Sequence, residues 1–288
     1  MRPRDIFAFI GLSLSWGSSF FWVKVALDEL GPFTLVASRL LVGALALAFV
    51  AWIRRPQWPN SWIHWSPLIT LALINVAVPL VITGWGQQFI DSGIAAILLS
   101  TVPLFTVTFS QIFLKDDRIT WMRATGLLVG FVGVVVLLLR DVSSDAASTF
   151  WGYATQLIGS VMYSGATVLA RRTLQNVSFI LQSLIPIALA DALIWVFVPF
   201  VENPVRLPQT TPGITAILFL GIVSSCVAYL LFYYLLHAIG PTRSNMVTYT
   251  FPLVGVLLGV TFLNESLDLQ LILGAALVVG SVFVVNRN

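Results

Sequence analysis

Long apolar stretches separated by short polar breaks run along the whole chain. A helix needs about 20 predominantly apolar residues to cross the hydrocarbon of a bilayer, and the sequence offers roughly ten stretches of that length. They cover approximately 6–28, 33–53, 66–89, 93–113, 120–139, 150–170, 178–200, 213–236, 244–262 and 269–286. Because several breaks are very short, the pattern predicts an all-α membrane protein with tight antiparallel hairpins and no soluble domain.

The composition agrees with this prediction. Of 288 residues, 58% are hydrophobic and 9% charged, and the mean hydropathy is +0.94, whereas a soluble domain carries about 25% charged residues. The sequence pI of 9.3 reflects a net charge of only +3, and the cations lie in short loops rather than on a nucleic-acid-binding face. The single cysteine, Cys226, forms no internal disulfide or Cys/His metal motif. We therefore expect no cofactor, no metal and no nucleic-acid partner.

The first apolar stretch has features of both an export signal and a retained helix. Arg2 and Arg4 precede it, as in the basic region of a signal peptide. The stretch continues from Ile6 to about Leu27, however, contains Lys24, and ends without a small-residue cleavage site. The sequence thus predicts a retained first span.

Basic residues are distributed unevenly between the predicted loops. With ten spans and a cytoplasmic N-terminus, eleven Lys or Arg residues lie inside and two lie outside. The inner set is Arg2, Arg4, Arg54, Arg55, Lys115, Arg118, Arg123, Arg171, Arg172, Arg243 and Arg287, and the outer set is Arg140 and Arg206. This positive-inside bias predicts a multi-pass protein of the bacterial inner membrane with both termini in the cytoplasm.

An internal repeat divides the chain into 1–142 and 146–288. The segment STVPLFTVTFSQIFLKDDRITWMRATGLLVG aligns with YTFPLVGVLLGVTFLNESLDLQLILGAALVVG, so that Pro103 matches Pro252. The first stretch aligns with VMYSGATVLARR in the same frame. Each half holds five predicted spans, an odd number, so the second copy crosses the membrane in the opposite sense. Two inverted copies give two nearly equivalent packings, which is the physical basis of alternating access.

The motifs WGSSFFWVK, VPLF…FLKD and FPLV…FLNE resemble those of EamA-type members of the drug/metabolite transporter superfamily, over essentially the whole chain. The chain is similar to YddG-type exporters of aromatic amino acids, and the family also contains exporters of other amino acids, purines and drug-like cations. The resemblance implies ten transmembrane helices in two inverted five-helix repeats around a central cavity. The first, third, fourth, sixth, eighth and ninth spans would line this cavity, and the fifth and tenth would be peripheral.

Polar and aromatic residues recur on shared helical faces, at about 100° per residue. Agreement between the first and sixth spans, and mid-span prolines that free a carbonyl, suggest which faces look inward. We predict that the substrate-binding residues are Ser13, Trp16, Phe20, Asn75, Pro79, Ser100, Pro103, Gln156, Ser160, Tyr163, Tyr229, Asn245, Tyr249 and Pro252. For the small and hydroxylated residues, helix packing is an equal alternative. The ring and amide polar atoms need partners that lipid cannot supply, which favours the cavity.

Three charged residues lie within predicted spans: Lys24, Arg39 and Asp191. Lys24 and Arg39 are within two turns of the predicted outer surface. They either snorkel or pair with nearby acids, or they form an outer gate with Arg171 as its inner counterpart. Asp191 lies midway along the seventh span and is a candidate to carry a coupling proton, although the first half has no matching acid.

The residues favour a secondary transporter, because the sequence has no phosphate-binding loop for ATP. We expect export of a small amphipathic metabolite, most simply an aromatic or apolar amino acid, by a chain that can work as a monomer. Lipophilic cations, drugs or purines are alternative substrates. A passive channel is a further class. A membrane-embedded lipid-modifying enzyme would need paired acids or a histidine cluster, and His64 and His237 form neither.

Overall fold

The computed structural model describes residues 2–114, 121–139 and 146–285, and within these ranges all regular secondary structure is helical. The helices are α1 (Pro3–Leu27), α2 (Pro32–Arg54), α3 (Trp62–Gly86), α4 (Ser92–Phe113), α5 (Trp121–Leu138), α6 (Ala146–Thr173), α7 (Phe179–Val201), α8 (Thr211–Ile239), α9 (Pro241–Phe262) and α10 (Leu269–Val285). Lys115, Arg118, Arg140 and Arg287, which enter the predicted charge bias, lie outside the described residues.

Seven of the described helices are long and apolar enough to cross a membrane: α1 to α4 and α7 to α9. Shorter apolar stretches occur at Leu128–Leu137 in α5 and at Leu269–Ser281 in α10. The prediction of an all-helical membrane protein is therefore confirmed, whereas the full set of predicted crossings and their inverted arrangement stay predictions.

Several helices are irregular near their middle. The α3 helix contains a π-helical segment at Ala72–Ala77, and α8 contains one at Phe219–Val227. In α9 a short 3₁₀ segment, Met246–Thr250, precedes the regular turns. In α1 the Ser18 hydroxyl donates to the Leu14 carbonyl at 2.6 Å, a type of hydrogen bond that often bends a helix. Such irregular turns free backbone groups, and they are frequent at functional sites.

The helices pack around a common centre. The α1 helix contacts α8 and α9, and α6 contacts α3 and α4, while α2 contacts α7 and α8. The α5 and α10 helices pack against each other. Glycines permit the closest crossings: a Cβ atom on Gly221 would lie 2.5 Å from Val42 Cβ, and one on Gly255 would lie 2.5 Å from Ala96 Cβ. Small residues at such crossings let membrane helices approach without a hydrophobic driving force between them.

Candidate functional site

A cavity lies between α1, α2, α3, α4, α6, α8 and α9. Its empty space, counted with its opening to the exterior, is about 850 Å³. The predicted residues that line it are Trp16, Phe20, Asn75, Tyr163, Tyr229 and Asn245, together with Arg39. As the resemblance implied, neither α5 nor α10 contributes a lining residue among those described. The contribution of α2 was not expected.

One wall of the cavity is aromatic. The Trp16 ring meets Tyr229 edge-on, with centroids 5.6 Å apart, and Phe232 at 5.2 Å. Its Nε1–H donates to the Ser224 carbonyl at 3.0 Å, inside the π-helical segment of α8. The irregular turn thus satisfies the polar atom of a ring whose remaining surface is apolar.

Near Pro79, the cavity-lining residue Asn75 joins α3 to α8 by hydrogen bonds. Pro79 does not line the cavity, and it lies just after the π-helical segment Ala72–Ala77, to which Asn75 belongs. The Tyr229 hydroxyl donates to the Asn75 carbonyl at 3.2 Å, and Asn75 Nδ2 donates to the Tyr233 hydroxyl at 3.3 Å. These two hydrogen bonds of Asn75 therefore tie α3 to α8 at the cavity wall.

A second amide joins three helices at another side of the cavity. Asn245 Nδ2 donates to Thr106 Oγ1 at 2.8 Å and to Thr167 Oγ1 at 3.4 Å, linking α9 to α4 and α6. Thr167 lines the cavity, as do Thr83 and Thr248. Thr83 and Thr248 were not singled out from the sequence, because a single hydroxyl on an apolar face does not distinguish a cavity from a packed contact.

Other predicted residues lie in helix contacts outside the cavity lining. Gln156 Nε2 donates to the Thr83 carbonyl at 2.9 Å, and Ser160 Oγ donates to the Gln156 carbonyl at 3.1 Å. Ser100 Oγ donates to the Ile97 carbonyl at 2.6 Å. Ser13 is buried, and its hydroxyl has no hydrogen-bond partner among the described residues. None of these four side chains is among the residues that line the cavity.

Three further predicted residues, Pro103, Pro252 and Tyr249, lie within helices or helix contacts. Pro103 and Pro252 each occupy the second residue of a regular α-helical segment, within α4 and α9 respectively. Tyr249 is half-buried and packs against Leu104 and Val107. None of the three is among the lining residues.

The two cations expected near the outer surface have different environments. Lys24 Nζ donates to the Gln87 carbonyl at 2.7 Å, and its electrostatic neighbours include Asp91 and Glu265. Arg39 instead lies in the cavity, where its electrostatic neighbours are Tyr163 and Tyr229. The structure thus places Arg39 in the cavity lining, whereas Lys24 lies outside it.

The remaining predicted charges lie outside the cavity lining. Arg171 is half-buried near the end of α6 and has His237 as an electrostatic neighbour. Asp191 in α7 is 8% exposed, and its side chain interacts with Trp195. No group of three or more His, Cys, Asp or Glu residues could hold a metal ion in the part of the chain that the structure describes.

Three carboxylates cap helices at the predicted outer end. Glu202 accepts from the first N–H groups of α2 at 2.7 and 2.9 Å, and Glu265 accepts from those of α4 at 2.7 and 3.0 Å. Glu29 accepts from the Thr210 hydroxyl and from the backbone N–H groups of Gln209 and Thr210, which directly precede α8. These hydrogen bonds hold the pKa of Glu29 below its ordinary value. We refer to Glu29, Glu202 and Glu265 as the carboxylate caps.

The helical fold, the apolar spans and the central cavity define a membrane transporter, and comparison with known proteins identifies its family. The model of the EamA-like transporter family matches residues 4–139 and again residues 150–287, so the chain belongs to this family. It is 28% identical to YedA of Escherichia coli K12, called an uncharacterized inner membrane transporter, over 93% of this chain and 87% of that protein.

Two further similarities extend over the whole chain. A protein of Streptantibioticus cattleyicolor, named a probable terminal-alkyne amino-acid exporter, is 25% identical over 99% of this chain and 94% of that protein. A solved crystal structure with 22% identity has a TM-score of 0.74 and covers 100% of this chain and 98% of its own. The latter similarity concerns the fold.

Proposed function

We propose that this transporter exports small amphipathic metabolites, namely aromatic or apolar amino acids, across the bacterial inner membrane without ATP. The observation that carries the proposal is a cavity lined both by the aromatic side chains of Trp16, Tyr229 and Phe232 and by the amides of Asn75 and Asn245. Aromatic rings offer apolar contact to a side chain, while a few placed polar groups orient the charged end of a ligand.

The comparisons support this substrate class and this membrane. A relative named as an amino-acid exporter resembles the chain from end to end, and YedA is named an inner membrane transporter. The seven long apolar helices and the basic loops are consistent with a multi-pass protein. In the proposed orientation both termini lie in the cytoplasm, as the distribution of Lys and Arg predicts.

We also propose that residues 1–142 and 146–288 are inverted repeats that alternate the access of the cavity. The two matches of the family model support this division. The helix contacts support it as well, because α1 packs on α8 and α9 as α6 packs on α3 and α4. The pairs α2 with α7, α4 with α9 and α5 with α10 join equivalent members of the two halves. Two such halves can exchange their packing around a fixed site.

Counterflow in reconstituted liposomes tests the proposal. Vesicles loaded with unlabelled L-phenylalanine should take up labelled L-phenylalanine faster than unloaded vesicles, because the binding site of a carrier returns from the lumen to the outside more quickly with substrate bound than empty. A passive channel gives no such acceleration. If the purified protein moves no aromatic or apolar amino acid above the level of empty liposomes, the amino-acid proposal is wrong.

A further inference from the structure

Arg39 is a buried cation inside the cavity. Its side chain is 5% exposed, and its Nε donates to Ser225 Oγ at 3.4 Å, close to the upper limit for a hydrogen bond. The electrostatic neighbours of the guanidinium are the hydroxyl-bearing rings of Tyr163 and Tyr229. No carboxylate pairs with Arg39 among the residues that the structure describes. Arg39 is therefore a positive charge at the cavity with no counter-ion among the described residues.

A guanidinium cannot relieve this situation by losing its proton, since arginine stays charged in proteins. Burying a charge that is neither paired nor fully hydrogen-bonded is strongly unfavourable. A guanidinium has five N–H donors, all of which can bond to water in the unfolded chain. One long hydrogen bond to a serine hydroxyl does not replace these interactions. An anion that enters the cavity would supply the missing partner.

Lys24 illustrates the contrast. Its ammonium donates to a backbone carbonyl at 2.7 Å and has Asp28, Asp91 and Glu265 as electrostatic neighbours. The protein itself thus provides negative charge for Lys24 at the predicted outer end. Of these two cations, Arg39 has no such negative charge among the described residues, and it lines the cavity. This combination indicates a binding role for Arg39 rather than a structural one.

We propose that Arg39 binds the carboxylate of the transported molecule and that the substrate must therefore carry a carboxylate. The proposal rests on the transport function proposed above and narrows its substrate class. With the carboxylate beside Arg39, Tyr163 and Tyr229, the apolar part of the molecule contacts Trp16 and Phe232. The fork of N–H donors on arginine matches the two oxygens of a carboxylate. An amine without a carboxylate is rejected, because it places a second cation beside an unpaired one.

Thermal unfolding of the purified full chain in detergent tests the proposal with three related probes. L-phenylalanine and 3-phenylpropionate both carry a carboxylate, whereas phenethylamine carries only the ammonium group. The wild type should be stabilised by the first two probes and not by the third. Because a ligand that binds only the folded state raises the unfolding temperature, titration of each probe gives its dissociation constant.

Arg39→Gln should weaken binding of both carboxylates by roughly 30-fold or more, the effect of truncating a buried charge pair. It should also remove the discrimination against phenethylamine. Arg39→Lys keeps the charge but loses the fork, so its affinities should fall between those of the wild type and Arg39→Gln. Arg54→Gln, at the exposed end of the same helix, is the matched control and should behave as the wild type.

The unfolding temperature without ligand separates a binding role from a structural one. Removal of an unpaired buried charge should leave Arg39→Gln at least as stable as the wild type. The proposal is overturned if Arg39→Gln is less stable than the wild type and binds the carboxylates with wild-type affinity. It is also overturned if phenethylamine stabilises the wild type as much as the carboxylates do, or if neither carboxylate raises the unfolding temperature of the wild type.

The two proposals fail separately. If 3-phenylpropionate binds in a way that depends on Arg39 but no amino acid shows counterflow, the proposed carboxylate site is supported and amino-acid export is refuted. Undiminished phenylalanine counterflow by Arg39→Gln leaves amino-acid export and refutes the carboxylate site.

Discussion

Replacement of Trp16 distinguishes a substrate platform from a packing residue. Trp16→Phe keeps an aromatic ring but removes the Nε1–H that bonds to the Ser224 carbonyl at 3.0 Å. The lost hydrogen bond should reduce the free energy of unfolding by about 1 kcal/mol. Trp16→Ala also removes two ring pairs, with Tyr229 and Phe232, each contributing about 0.5–1.5 kcal/mol. Its total loss should be about 2–4 kcal/mol, because a ring beside an existing cavity leaves little new closed void.

The effect on substrate should follow the ring rather than the hydrogen bond. If the substrate ring packs on Trp16, Trp16→Ala forfeits about 0.5–1.5 kcal/mol of binding, a loss of roughly 2- to 10-fold in affinity. Trp16→Phe should retain most of that affinity. Counterflow of L-phenylalanine, divided by the amount of monodisperse protein in each liposome preparation, measures this effect. Trp52→Ala, which removes a ring that is 71% exposed on α2, is the control and should transport as the wild type.

The opposite pattern would refute the reasoning. If Trp16→Ala transports less only in proportion to its loss of folded protein, Trp16 is a packing residue. If Trp16→Phe loses as much affinity as Trp16→Ala, the indole N–H and not the ring face controls binding.

Three further substitutions test other parts of the structure. Gly221→Ala places a Cβ 2.5 Å from Val42 Cβ, so it should destabilise the protein by about 1–3 kcal/mol in thermal unfolding. Gly280→Ala is the control and should not, because its added Cβ would meet no atom of another described element within 4 Å. The lowered pKa of Glu29 means that its carboxylate stabilises the fold above its unfolded pKa of about 4.3 and loses this effect as the pH falls through the folded pKa. The difference in unfolding temperature between the wild type and Glu29→Gln should therefore be constant near neutral pH and vanish in acid; a difference unaffected by acid contradicts this assignment. Because Asp191 does not line the cavity, Asp191→Asn should leave the pH profile of counterflow unchanged; a flattened profile would assign the coupling proton to this carboxyl.

The sequence predicted the aromatic and amide side chains of the cavity better than the hydroxyl groups. Trp16 and Tyr163 occupy matching positions in the repeat, and rings or amides within an apolar helix need specific partners. The serine hydroxyls satisfy themselves on carbonyls of nearby turns, as Ser100 and Ser160 do. Since cavity faces and packed faces are both shielded from lipid, periodicity alone does not separate them.

The position of Arg39 in the cavity could not be predicted from its distance along the helix alone. Counting turns from the start of α2 gives its distance from the predicted surface but not the direction of a long side chain. The sequence contained one indication of this direction: Arg39 and Gly43 are one turn apart and therefore share a face of α2. A Cβ on Gly43 would lie 2.7 Å from Ser225 Cβ, so this face packs closely against α8. Close packing against α8 directs Arg39 inward, and that contact depends on both halves of the chain.

The carboxylate caps connect the proposed alternating access to the observed arrangement. Each cap joins the two halves: Glu29 of the first half holds α8, while Glu202 and Glu265 of the second half hold α2 and α4. A carboxylate at a helix N-terminus is stabilised by the exposed N–H groups and by the helix dipole. Opening the cavity at this end by separating the halves would break these contacts together. In the proposed alternating access, the strength of the caps would then help to determine how often this end of the cavity opens.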